Sequence, residues 1–280
     1  MKALSFEVNG RTSYGIVADA GIREASDDFL ARYRDLRSVL TDDALTELPQ
    51  NLSKTVLAAD TIRYLPLIPN PDKVICVGVN YRPHVEEMGR DVPAHPLLFV
   101  RFPGSLVGHQ QPIIKARASE QYDFEGELAI VIGRRARHVV RAEAFAFIAG
   151  YACFMDGSVR DWQRHTSQFI PGKNFRHSGA LGPYLLSVDE LSDPTHLSLT
   201  TRVNGTVMQQ GSVDELIFDI PALIEYCSTF AELLPGDIIA TGTPGGVGAA
   251  RTPPVWLSDG DTVEVDIGEV GCLQNTVCDE

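Results

Sequence analysis

Apolar residues recur along this chain at two spacings, and alternation dominates. The first segment, "KALSFEV", alternates as a half-buried strand does; Asn9-Gly10 supplies a tight turn and "TSYGIVA" resumes the alternation, which predicts a hairpin. In "DDFLARYRDLRSVL" the period changes. Phe29, Leu30, Tyr33, Leu36, Val39 and Leu40 fall near helical spacing behind two acids and predict one amphipathic helix. Proline punctuation in "PNPDK" (residues 69–73) places a boundary between a small N-terminal α/β domain, residues 1–70, and a larger domain, residues 71–280. The larger part reads as strands in "KVICVGVN", "LLFV", "ELAIVIG", "GYACFMD", "LSLTTRVNG", "GDIIATG" and "DTVEVDIG", with helical patterns in "AEAFAFIA" and "IPALIEYCSTFAEL". Strands outnumber helices and do not alternate regularly with them, which predicts a β-rich α+β fold and argues against a doubly wound sheet.

Composition narrows the function. The 280 residues carry a formal charge of -13, so a nucleic-acid partner, which needs phosphate-neutralising Lys and Arg clusters, is not expected. The one basic run, "RRARHVVR", reads as a solvated connecting turn. No apolar run approaches a membrane span and no apolar stretch follows the N-terminal lysine, which predicts a cytosolic protein with no membrane partner. Five cysteines without a C-x-x-C pair indicate neither a disulfide framework nor a zinc site, and Cys76 and Cys153 read as core residues.

The candidate chemistry begins in "DFEGELAIVIG". If this stretch is extended, Asp123, Glu125 and Glu127 point the same way, ahead of a strand apolar on both faces; a solvated edge strand is the competing explanation. "GYACFMDGS" is a second apolar strand, ending in Asp156 and a glycine turn. Two or three such carboxylates make a hard, all-oxygen site suited to Mg²⁺, Mn²⁺ or Ca²⁺, and the chain has no EF-hand loop. In "VNYRPHVEEMG" a very short helix is expected over residues 83–88, stopped by Gly89, with His84 and Glu87 three apart on one face. A carboxylate beside an imidazole makes a general base, although an exposed pair on a surface turn reads the same way. So short a helix is marginal alone, which predicts a lid over residues 81–89 that orders on bound substrate. Arg160 and Lys173 are cations available to an anionic substrate, and "TGTPGGVG" matches no nucleotide motif but could bring backbone N–H groups and Thr243 to a ligand.

Taken in order, "KVICVGVNYRPHVEEMG", "DFEGELAIVIG", "GYACFMDGSVRDWQ", "PGKNF", "VNGTVMQQG" and "PGDIIATGTPGGVG" resemble the fumarylacetoacetate hydrolase superfamily over roughly residues 72–275. The resemblance implies a mixed β-roll catalytic domain, usually homodimeric, with Mg²⁺ or Mn²⁺ held by Glu125, Glu127 and Asp156. It implies that His84 and Glu87 activate water on a mobile lid, that Lys173, Arg160 and Gln163 contact substrate, and that Thr243 lies near the ligand. Asp123 has no ligand counterpart. One departure stands out: His177 occupies a position where a threonine is usual, which makes it a candidate substrate contact, and "PGKNF" with "GALGP" resembles members acting on diketo-deoxy sugar acids. The reaction expected from these residues is hydrolysis of a C–C bond in an anionic 2,4-dioxo acid, with Lys173 stabilising the pyruvate enolate that departs. Decarboxylation of a β-keto acid such as oxaloacetate and enol–keto isomerisation are the alternatives. A non-catalytic dimer with a structural ion is a remote one.

Overall fold

The structure, a computed structural model, describes residues 1–87, 91–191 and 193–280. Its main element is a twelve-stranded sheet. From one edge its principal path runs Leu52–Leu57, Gly21–Ala25, Arg11–Ala18, Lys2–Val8, Gly179–Ser187, Ile148–Met155, Gly126–Ile132, Ile238–Ala240, Val74–Gly78 and Leu97–Val100. A five-stranded sheet, Thr206–Ser212, Ser198–Val203, Thr262–Asp266, Cys272–Asp279 and Ile113–Lys115, packs against it.

The central strand Gly126–Ile132 is buried at every position, as its unbroken apolar run predicted. Its alternation divides it between two cores. Leu128, Ile130 and Ile132 join the cluster containing Val263, Val265 and Leu273 of the five-stranded sheet and Leu223, Ile224 and Cys227 of the helix Ile220–Phe230. Ala129 and Val131 face the opposite way, into the cluster of Phe29, Leu36, Val39 and Leu40. Cys76 and Cys153 are buried in these cores, and all five cysteines are free.

The N-terminal segment forms its hairpin, and Lys2–Val8 then hydrogen-bonds to Gly179–Ser187. Residues on both sides of position 70 therefore share one sheet and one core cluster. The expected single helix is two, Asp27–Arg32 and Leu36–Thr41, because Asp35 caps the second: its carboxylate accepts the Ser38 N–H while Ser38 Oγ accepts the Asp35 N–H. "AEAFAFIA" is not an α-helix either. A 3₁₀ segment over Arg141–Phe147 passes directly into the strand Ile148–Met155, since β-sheet pairing on both sides claims the apolar residues from Ile148 onward. No helix among the described residues is long and apolar enough to cross a membrane.

Candidate active site

Strand register builds the site. Gly126 pairs with Met155 and Glu127 with Phe154; the next step of the same ladder sets Glu125 opposite Asp156, whose N–H donates to the Glu125 carbonyl at 2.8 Å. Residues directly opposed project to the same face, and so do residues two apart. Glu125, Glu127 and Asp156 accordingly converge with ligand oxygens within 4.8 Å of one another, all three buried.

Three carboxylates this close repel, and cations answer them. Lys173, 1% exposed, places Nζ 2.5 Å from Glu125 Oε2 and 2.7 Å from Asp156 Oδ2. Burial alone would depress its ammonium; Asp156 and Glu125 outweigh that, and its pKa is raised. Arg101 Nη1 lies 2.5 Å from Asp156 Oδ1, and its other nitrogens reach Ser105 Oγ and Ser178 Oγ. Arg160 donates Nε to Asp123 at 2.8 Å and Nη1 to Gln163 at 2.9 Å; Nη2 stands 2.6 Å from Glu125 Oε1, an ion pair whose angle falls short of a hydrogen bond.

The carboxylates divide by environment. Burial would raise Glu125, yet Arg160 and Lys173 prevail and hold it far below the ordinary carboxylate range. Glu127 goes the other way: burial first, then Asp156 and Glu125, push it well up. It accepts the Gly242 N–H at 3.0 Å, presented by a residue at φ +108. A buried, mutually repelling, all-oxygen set with one incompletely neutralised member fits a hard divalent cation, and Glu125, Glu127 and Asp156 would hold it.

Asp123 is buried beside this group without joining it. Its oxygens accept the N–H groups of Gly248 and Ala249 and Arg160 Nε, so it ties the glycine loop to the arginine. The His84–Glu87 pair is present on the helix Arg82–Glu87, with Nδ1 3.2 Å from Oε2; Met88 and the expected stop at Gly89 lie outside the described residues. Glu87 also accepts the Gly246 N–H at 2.9 Å, from a glycine at φ +100. Burial would raise the Glu87 carboxyl, but His84 and the Gly246 amide lower it, so it is ionised and can only accept. The imidazole must then donate from Nδ1, and in the neutral ring Nε2 is the acceptor.

A cavity of about 420 Å³ joins these groups, lined by His84, Glu125, Glu127, Arg160, Gln163, Lys173 and Thr243 among polar residues and by Val77, Leu97, Phe99 and Phe169 among apolar ones. Thr243 Oγ1 donates to the Gly126 carbonyl and accepts from Gln209 Nε2, both at 2.8 Å, so it braces the wall as well as lining it. His177 does not line this cavity. Its backbone takes φ +54 in the turn before Gly179–Ser187 and bonds to Gly104 and Ile114, which carries the ring elsewhere. Sequence reasoning missed Arg101 and Gln209, and Asp123's part in holding Arg160.

The family model for the fumarylacetoacetate (FAA) hydrolase C-terminal region matches residues 73–278. The chain belongs to this family. Among its relatives, the human mitochondrial oxaloacetate tautomerase FAHD2A is 41% identical over 224 residues, 79% of this chain and 71% of that one. The oxaloacetate tautomerase YisK of Bacillus subtilis is 39% identical over 258 residues, 90% of this chain and 83% of that one. Among solved structures, a putative HpcE protein from Mycobacterium smegmatis superposes with a TM-score of 0.89 at 32% identity, covering 100% of this chain and 99% of its own. A maleylpyruvate hydrolase from Sphingobium, in complex with manganese (II) ion and pyruvate, superposes at 0.81 with 26% identity, covering 100% and 99%. The β-rich α+β fold is that of the family.

Proposed function

We propose that this protein is a divalent-metal-dependent enol–keto tautomerase of a short 2-oxo dicarboxylic acid of the oxaloacetate kind. The observation that carries this reading is the relationship to oxaloacetate tautomerases, at 41% identity over 79% of the chain in one case and 39% over 90% in another. Of the reactions expected from the sequence, these relatives favour the isomerase alternative over C–C hydrolysis. Mg²⁺ or Mn²⁺ is the proposed ion, and a cytosolic homodimer the proposed assembly.

The chain's own groups suit a 1,3-proton shift. With Nδ1 committed to Glu87, His84 Nε2 takes the enol hydroxyl proton. The O–H electron pair closes the carbonyl, and the C=C pair accepts a proton at C3 from the imidazolium just formed. No group leaves and no water is consumed. Lys173, whose charge its carboxylate neighbours secure, is a fixed cation for the transient enolate oxygen and not a base. Glu125, Glu127 and Asp156 would hold the divalent ion, which when bound would supply Lewis-acid withdrawal of charge from the 2-oxo acid end. Phe99 and Phe169 pack edge to face and give the cavity apolar lining.

The test is to add purified protein and Mn²⁺ to freshly dissolved enol-oxaloacetate and follow enol absorbance, with NMR of the products. Ketonisation faster than the buffer rate, with the carbon skeleton intact, supports the reading. Hydrolysis remains the second reading, favoured by the neighbouring maleylpyruvate hydrolase structure. Cleavage of 2,4-dioxo acids to pyruvate, without accelerated ketonisation, would install it instead.

A further inference from the structure

The cations expected to receive an anionic substrate are already committed. Arg160 is engaged by Asp123, Gln163 and Glu125, and Lys173 is shared by Glu125 and Asp156. With all of them ionised, the four buried carboxylates of the site, Asp123, Glu125, Glu127 and Asp156, exceed its three buried cations, Arg101, Arg160 and Lys173, by one negative charge. A divalent ion on the triad would turn that into one positive charge, which matches a monocarboxylate. Arg164 is a further cation outside that buried set.

Arg164 caps the short helix Arg160–Gln163, its N–H bonded back to the Arg160 carbonyl, so it lies one turn beyond Arg160 on the same face. Arg164 is itself exposed and lines the cavity together with Thr166 and Ser167. Among the described residues no carboxylate pairs with its guanidinium, in contrast to Arg160 one turn earlier. Its charge and its planar fork are therefore available to a ligand in the cavity.

We propose that Arg164 is a specificity-determining residue, which takes the distal carboxylate of a short dicarboxylate whose 2-oxo acid end faces Glu125, Glu127 and Asp156. The proposal rests on the tautomerase reading for the substrate's carbon skeleton. A bidentate guanidinium–carboxylate pair at a partly solvated rim should contribute about tenfold in affinity, the low end for charge-assisted hydrogen bonds.

Two unreactive probes separate the ends of the ligand. Malate keeps the carbon skeleton and both carboxylates of oxaloacetate; lactate lacks the distal one. Calorimetric titration of the full-length Mn²⁺-loaded protein should show malate binding about tenfold more tightly than lactate. Arg164→Gln should erase that preference and leave lactate affinity unchanged, with Arg164→Lys intermediate because it keeps the charge and loses the fork. Equal affinities in the unaltered protein, an unchanged malate affinity in Arg164→Gln, or equal losses for both probes would overturn the assignment. Ketonisation of enol-oxaloacetate, run on the same preparations, tests the other reading separately. A protein that prefers malate through Arg164 but accelerates no ketonisation keeps the subsite and loses the tautomerase.

Discussion

Arg101→Met tests whether the carboxylate triad depends on a cation that is not among the residues lining the cavity. Arg101 is 2% exposed, and its guanidinium meets Asp156 Oδ1 at 2.5 Å, the Gly157 carbonyl at 2.9 Å, Ser178 Oγ at 2.7 Å and Ser105 Oγ at 3.1 Å. Methionine fills much of the volume and replaces none of these bonds, so Asp156 keeps Lys173 as its one remaining cation and the Gly157 carbonyl loses its donor. Removing one member of a buried ion pair costs about 3–5 kcal/mol, most of it the burden of the charge left behind. At about 2 °C per kcal/mol for a chain of this size, the melting temperature in metal-free buffer should fall by about 6–10 °C. Mn²⁺ should stabilise both proteins, by about 2.7 kcal/mol at a hundredfold excess over its Kd in the unaltered one. It should stabilise the variant more, because the triad has lost a competitor for its charge. Differential scanning calorimetry with and without Mn²⁺ reads both effects. A variant that melts within about 2 °C of the parent without metal would refute the reasoning, since that shift corresponds to about 1 kcal/mol and breaking a buried ion pair costs more.

Other outcomes follow from the same structure. His84→Ala should slow enol-oxaloacetate ketonisation by about 10²–10⁴-fold while leaving Mn²⁺ affinity intact; a rate within a few-fold of the parent would remove His84 from the reaction. Burial depresses the His109 imidazole to about 4, and its Nδ1 accepts the Gln274 N–H at 3.1 Å. The unfolded chain, titrating near 6.5, thus binds more protons than the folded one below that pH, and stability should fall by up to about 3 kcal/mol as the pH drops from about 6.5 towards 4. His109→Gln should flatten the dependence of the urea midpoint on pH in that window; an unchanged slope would clear His109 of the effect. Amide exchange over Arg82–Glu87 should slow when Mn²⁺ and malate are added together, and identical protection with and without them would dispose of the lid.

The parts of the site that were legible in the sequence are those written in local periodicity. Alternation aligned Glu125 with Glu127, an apolar strand ending in acid announced Asp156, and three-residue spacing paired His84 with Glu87. What stayed hidden depends on partners far away in the chain. Arg101 follows a strand inside "VRFPGS", where an arginine before an aromatic and a proline reads as a surface turn; its carboxylate is 55 residues on. Asp123 shares the acidic face with its neighbours, but its principal amide partner, Gly248, is 125 residues away, so spacing could not distinguish a ligand from a brace. His177 was singled out by a departure from the family pattern, and left-handed backbone geometry, invisible to residue type, took it off the cavity. The one predicted helix that became a 3₁₀ segment and strand failed for a related reason: "AEAFAFIA" is apolar enough for either, and the neighbouring strands decided.

The pairing of Glu125 across from Asp156 also sets how this site can vary over evolution. Side chains in the two central strands can be exchanged for others of similar size with little effect on the acids. Adding or losing a single residue in either strand, by contrast, would rotate that strand's half of the constellation into the opposite core, where Val265 and Leu273 offer no counter-charge. Length changes in descendants of this chain should therefore accumulate in the connecting segments, and the interval from Gly126 to Met155 should accept them only between Gly133 and Phe147, outside the paired strands.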